Sequence, residues 1–169
     1  MSAWKMKSSK TETMIKSKLL NQNHLIEVIF PLDERIKQWL LEKDYISIDR
    51  YFLEIEKPGR ALFNFLGEYL NFSSIEHIIS IRKPPHDEDG IWHDDGSRIL
   101  GFTLSLTLDH QSVQGGELRF KNKSDLDFQT VSLRPYGHML LFKTGIYGFE
   151  HMVTQVTQGE RILIAGWCS

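Results

Sequence analysis

His93 and Asp95 stand two positions apart in Trp92-His93-Asp94-Asp95, His151 follows far downstream, and Arg161 lies ten residues beyond it. Two imidazoles and one carboxylate suit a mononuclear iron site. Grouped on one face of the metal, they leave the opposite positions open. Structural zinc would call for four closed ligands, usually with thiolates, and the chain has one cysteine, Cys168. If His93 and Asp95 lie at a strand end, the two-residue repeat aims both at one face and Asp94 at the other. A third ligand from a distant strand, His151, then completes the set. Arg161 adds a planar cation that can hold the carboxylate of an acidic cosubstrate bidentately. Each residue alone has a plainer reading, a hydrogen-bonded histidine or a surface arginine, and the joint pattern is what points to a metal.

A rival pair, His86 and Glu88, sits in Pro84-Pro85-His86-Asp87-Glu88-Asp89-Gly90, a turn-rich acidic stretch poor at holding rigid ligands. Residues 82–90 read instead as a mobile lid, stiffened by two prolines and hinged at Gly90. His24, His77, His110 and His138 have no motif partner.

The elements that must position these residues change character along the chain. A short strand over 25–30 precedes Pro31-Leu32-Asp33, where Asp33 can cap a helix carrying the stripe Ile36, Trp39, Leu40. Leu62, Phe65, Leu66, Tyr69 and Leu70 repeat that stripe after Pro58-Gly59. From Ile75 the period becomes two. Leu100, Phe102, Leu104, Leu106 and Leu108 alternate with Gly101, Thr103, Ser105 and Thr107, a strand with one greasy and one small polar face. Further strands are expected at 117–121, 128–133, 139–142, 151–156 and 161–167, separated by turn residues such as Gly115-Gly116 and Gln158-Gly159. Short strands after a helical opening indicate an α+β protein, a two-sheet jelly roll braced by N-terminal helices. The expected layout is a single domain over 1–169, with a basic arm at 1–18, a supporting strand and helices at 19–74, and the jelly-roll core at 75–169.

The chain is 41% hydrophobic and 25% charged, with a formal net charge of -2. That balance gives no overall reason to bind nucleic acid. Lys5, Lys7, Lys10, Lys16 and Lys18 face only Glu12 in the first eighteen residues, which reads as a solvated arm. No apolar run approaches the roughly 18 residues of a membrane span, and the opening residues lack an apolar core of signal-peptide length. With one cysteine, a reducing cytoplasm is the expectation.

From Ile78 to Trp167 the sequence resembles the 2-oxoglutarate and Fe(II)-dependent oxygenases, closest to the prolyl 4-hydroxylase-like branch. His93-Asp94-Asp95, Gly115-Gly116-Glu117-Leu118, Pro135, Gly137, Leu141-Phe142, His151, Arg161 and Trp167 match that family's ordered series. The resemblance implies a double-stranded β-helix in which His93, Asp95 and His151 ligate iron and Arg161 meets the distal carboxylate of 2-oxoglutarate. It also implies O2 as oxidant, compatibility with ascorbate, and hydroxylation of an unactivated carbon with release of succinate and CO2. The substrate would be a peptide, such as one bearing a prolyl residue, or a small molecule. Two departures stand out. The family's tyrosine before the first ligand is absent from Ile81-Arg82-Lys83-Pro84-Pro85, and Trp167 stands where the alkylation-repair branch has a second arginine. Two other classes compete: a cupin-like isomerase or small-ligand sensor, which would usually show His-x-His, and a degenerate oxygenase kept as a binding module. Substrate loops and oligomeric state are not encoded in local pattern.

Overall fold

The computed structural model describes residues 25–169, so the basic arm expected over 1–18 lies outside the described residues. Along the chain come β1 (Leu25–Ile29), α1 (Arg35–Glu42), α2 (Tyr45–Ile55), α3 (Ala61–Gly67), β2 (Ile75–Arg82), β3 (Leu100–Ser105), β4 (Gln114–Gly115), β5 (Leu118–Lys121), β6 (Gln129–Val131), β7 (His138–Lys143), β8 (Glu150–Val153), β9 (Val156–Gln158) and β10 (Arg161–Cys168).

Asp33 accepts the Arg35 N–H at 2.9 Å and so serves the first turn of α1. The sequence stripes indicate two helices here, and the structure has a third, α2, between them. Its β-branched Ile46 and Ile48 are weak helix formers. Two compensations hold it: Asp44 accepts the Ser47 N–H at 3.1 Å as an N-cap, and Ile48 and Phe52, one turn apart, are fully buried. Tertiary burial outweighs propensity.

All strand pairs are antiparallel. The larger sheet runs β1-β7-β3-β10-β2, and two smaller sheets run β6-β5-β8 and β4-β9. β1 thus joins the jelly roll as an edge strand. The stretch expected as one strand at 151–156 is split into β8 and β9, which pair with different partners. The faces of β3 decide the layers. Phe102 and Leu104 pack with Met139, Leu141, Ile164 and the helix residues Ile36, Phe52 and Leu66 in one core. Thr103 and Ser105 point the other way, toward the space between the sheets. Leu118, Phe120, Leu140 and Phe142 close that space at one side. The jelly roll therefore keeps an interior that is not filled with large apolar groups. Among the described residues no helix is long and apolar enough to cross a membrane.

Candidate active site

His93 and His151 face each other across a single β-bridge. The His93 N–H donates to the His151 carbonyl at 3.1 Å and the His151 N–H donates back at 2.9 Å. Directly opposed residues carry their side chains on one face, and the two ring centroids lie 4.4 Å apart. Asp95 arrives by a different route from the one strand periodicity suggests. Its φ is 62° and that of Gly96 is 65°, so the chain leaves the extended conformation after His93 and winds the carboxylate back toward both rings. Aspartate tolerates this left-handed region better than most residues. Asp95 Oδ1 is 3.5 Å from His93 Nε2 and Oδ2 is 3.5 Å from His151 Nε2. Asp94 turns away and pairs with Lys123, which with the Gly96 N–H holds its carboxyl below the ordinary range.

Neighbouring groups fix the orientation of these side chains. His93 Nδ1 is 2.8 Å from the Ile91 carbonyl, which accepts its N–H and turns Nε2 toward Asp95. Burial pushes His151 down to about 4, with the Asp95 charge opposing and His93 adding to the effect. The ring is therefore neutral at neutral pH, the form that binds metals. The Thr144 hydroxyl lies 2.9 Å from Asp95 Oδ2 and 2.7 Å from the Asp94 carbonyl. Nothing local in the sequence marks Thr144. It reaches Asp95 because β7 ends there, and Gly145 (φ 76°) lets the turn pass where a Cβ would fall 2.0 Å from the Arg98 carbonyl.

One donor atom from each of His93, Asp95 and His151 lies within 4.8 Å of the others, and no second such group of three occurs among the described residues. Donors in adjacent positions around an ion with bonds of about 2.1 Å sit about 3 Å apart. The spacing, the two imidazoles and the single carboxylate fit one divalent cation. His86 and Glu88 are exposed and belong to no such cluster.

A cavity of about 170 Å³ runs from His93 and His151 to Arg161. His151 stands on β8 and Arg161 on β10, strands of different sheets that face each other. A tight hairpin at Gln158-Gly159 would put them on opposite faces; the two-sheet architecture resolves that conflict. The Arg161 side chain has no hydrogen-bond or ion-pair partner among the described residues, although the residue is only 3% exposed. Burial lowers it to about 10, with Arg82, directly opposite on β2, adding and Asp87 opposing. It remains charged at neutral pH. At the turn residues Gly115-Gly116 the β4–β9 pairing shifts register between Gln114 and Gly115, a bulge. Gly116 has φ 72°, and a Cβ there would lie 2.6 Å from Arg161 Cδ, so the missing side chain makes room for the arginine. Where the tyrosine is missing, β2 presents Ile78 and Ser80 to the cavity, and β3 adds Thr103.

The segment 82–90, expected as a mobile lid, is hydrogen-bonded to the β8–β9 edge in this structure. Asp87 pairs with Arg82 at 2.8 Å and accepts the Val156 N–H at 2.7 Å. Asp89 accepts the Gln155 N–H at 2.7 Å, and the Gly90 N–H donates to the Val153 carbonyl at 2.8 Å. Asp87 and Asp89 are the fasteners. The segment is a strap from β2 to the β8–β9 edge that delivers the chain to His93.

Comparison with known proteins agrees with this geometry. The family described as the 2OG-Fe(II) oxygenase superfamily matches residues 82–169. No curated protein matches the chain. Among solved structures, a prolyl-4-hydroxylase from Pseudomonas putida is similar at 18% identity and TM-score 0.61, over 92% of this chain and 90% of that one. A Trichoplax adhaerens prolyl hydroxylase, in complex with a hypoxia inducible factor oxygen degradation domain peptide fragment, is similar at 14% identity and TM-score 0.60, covering 99% and 93%. The alpha ketoglutarate dependent epimerase SnoN from nogalamycin biosynthesis is similar at 9% identity and TM-score 0.63, covering 95% and 82%. At these identities the structures share the fold.

Proposed function

The chain belongs to the 2OG-Fe(II) oxygenase superfamily, and from that premise we propose that His93, Asp95 and His151 hold Fe(II) while Arg161 anchors the distal carboxylate of 2-oxoglutarate. The protein is an iron- and 2-oxoglutarate-dependent dioxygenase of jelly-roll fold. The observation that carries the assignment of roles is the convergence of three donors at one end of a cavity and a buried, unpartnered arginine along the same cavity.

Bound iron, with O2 and 2-oxoglutarate, supplies an oxidising centre that hydroxylates a C–H bond while 2-oxoglutarate is converted to succinate and CO2. The chain's own residues position and shield. Arg161 offers a charged fork with no competing partner, so a carboxylate entering the cavity replaces the solvation that burial removed. Thr103 and Ser80 add hydroxyl surface where the tyrosine is absent. Phe142 and Phe120 pack on His151, with ring centroids 4.9 and 6.1 Å away, and keep water from its inner side. His93, with a side chain 46% exposed, opens the site to the prime substrate. We take that substrate to be a peptide, as in the printed complex of the Trichoplax adhaerens neighbour. The single, buried Cys168 suits a reducing compartment such as the cytoplasm.

The cupin reading lacks its second histidine beside His93, and a degenerate binding module would form no succinate. Iron retention and 2-oxoglutarate turnover test the assignment. His151→Ala should lose both and His86→Ala should keep both; loss of metal in the His86 variant with retention in a His93→Ala variant would refute it.

A further inference from the structure

A second cavity, of about 300 Å³, adjoins Asp95 through Gly96 and Thr144. Its walls include Leu70, Ile99, Ile146 and Tyr147, with Lys143 at its edge. The volume is at the lower end of ligand pockets, about 300 Å³, enough for one large side chain. Two large apolar residues at its rim face water, Ile146 at 70% and Tyr147 at 92% exposure. They stand on the 3-10 turn Gly145–Tyr147, which is pinned in place. The Gly145 N–H donates to the Asp94 carbonyl, the Gly148 N–H donates to Gly145 at 3.2 Å, and a Cβ on Gly148 would strike the Thr144 backbone at 2.3 Å. A fixed turn that holds apolar side chains out of the core marks a contact surface.

The charges around this cavity are unequal. Arg98 is committed to Glu76 at 2.7 Å and lies over the Trp167 ring at 5.1 Å. Lys143 has no carboxylate partner among the described residues. The cavity is therefore an apolar slot with one cation that has no carboxylate partner among the described residues. Its lining includes Gly96 and Thr144 of the two loops that hold Asp95, so a molecule seated in it and also reaching the proposed metal face must extend past those loops. A peptide, with side chains spaced about 3.8 Å per residue along its backbone, meets that demand.

We propose that this cavity is a prime-substrate subsite for a peptide, taking one large apolar side chain against Ile146 and Tyr147 and a neighbouring acidic side chain against Lys143, with the residue to be oxidised over the face of His93, Asp95 and His151. The proposal rests on the oxygenase reading and narrows its substrate to acidic-apolar peptide segments.

The test uses the full chain loaded anaerobically with Fe(II) and 2-oxoglutarate and a displayed library of randomised dodecapeptides. The wild-type protein should select sequences with a large apolar residue and an aspartate or glutamate at fixed offsets. Lys143→Glu should exchange the acidic preference for a basic one and weaken the selected acidic peptide about 10-fold. Ile146→Asp should erase the apolar preference. Both variants should bind iron and 2-oxoglutarate as the wild type does, which separates the two claims: failure of wild-type metal and cosubstrate binding would bring down the proposed function. If those are intact, selection of no peptide, or an unchanged preference in Lys143→Glu, overturns the subsite.

Discussion

Arg161→Met should make the protein more stable and cosubstrate-blind at once. The guanidinium is 3% exposed, has no partner among the described residues and faces Arg82 across the strands. Burial, with Arg82, lowers it from the ordinary arginine value to about 10. At about 1.4 kcal/mol per pKa unit, keeping this group charged in the folded protein costs about 3 kcal/mol at neutral pH. Methionine fills much of the same volume without charge and adapts to irregular space. Allowing for imperfect packing, the cosubstrate-free variant should gain about 1–3 kcal/mol, or roughly 3–10 °C in Tm for a chain of this length. The same change removes the charge-assisted bidentate contact proposed for the cosubstrate, so on that proposal 2-oxoglutarate should bind at least about 10²-fold more weakly, with iron content unaltered. The pH dependence follows from linkage. The folded value lies below the unfolded one, so between about 10 and the ordinary arginine value the unfolded chain binds more protons and wild-type stability rises with pH relative to the variant. The gap is full at neutral pH and shrinks above about 10. Calorimetric melts with and without 2-oxoglutarate, together with titration of 2-oxoglutarate into the iron-loaded protein, read both effects. A variant that melts below the wild type without cosubstrate, or that keeps wild-type affinity, refutes the reasoning.

Three further perturbations probe the supports of the site. Gly116→Ala forces a side chain into φ 72° and places a Cβ 2.6 Å from Arg161 Cδ and 2.9 Å from Val156 Cγ2; the left-handed conformation alone costs about 1–2 kcal/mol. Calorimetry should show a Tm several degrees lower and titration a 2-oxoglutarate affinity down about 10-fold, and an unmoved affinity would detach Gly116 from the anchor. Thr144→Val removes the hydroxyl beside Asp95 Oδ2 and should weaken iron about 10-fold in chelator competition, against no change if Asp95 is held by the backbone alone. For the strap, burial raises the Asp87 carboxyl, but the Arg82 bond and the Val156 N–H outweigh it and the net direction is downward. Its contribution is thus present at neutral pH and lost as pH falls through the depressed value. Asp87→Asn should therefore speed hydrogen exchange at the Val156 amide at neutral pH, while the wild type loosens only in acid; equal protection in both would show that the strap is held elsewhere.

Local pattern determined more of this protein than its length suggests. The two-residue alternation from Leu100 reports which side of β3 meets the helices and which side lines the cavity, because strand pleat alone sets that alternation. Gly115-Gly116 reads as a turn from composition, since consecutive positive φ values favour glycine, and the strand pairing adds that it is a bulge. His93, Asp95, His151 and Arg161 are legible as a set from residue types and order. How they meet was decided by tertiary structure. Asp95 reaches the histidines through a left-handed turn that strand periodicity cannot announce. Helix α2 exists because Ile48 and Phe52 find a core, against their neighbours' propensities. The acidic residues of 82–90 look solvated in sequence, and only the fold supplies the amides of Gln155 and Val156 that fasten them. The same holds for Thr144 at Asp95 and for Arg161 facing His151 from the other sheet. These contacts join residues far apart in the chain, and their register follows from which strands pair, a choice made by burial of the whole sheet and absent from any short window of sequence.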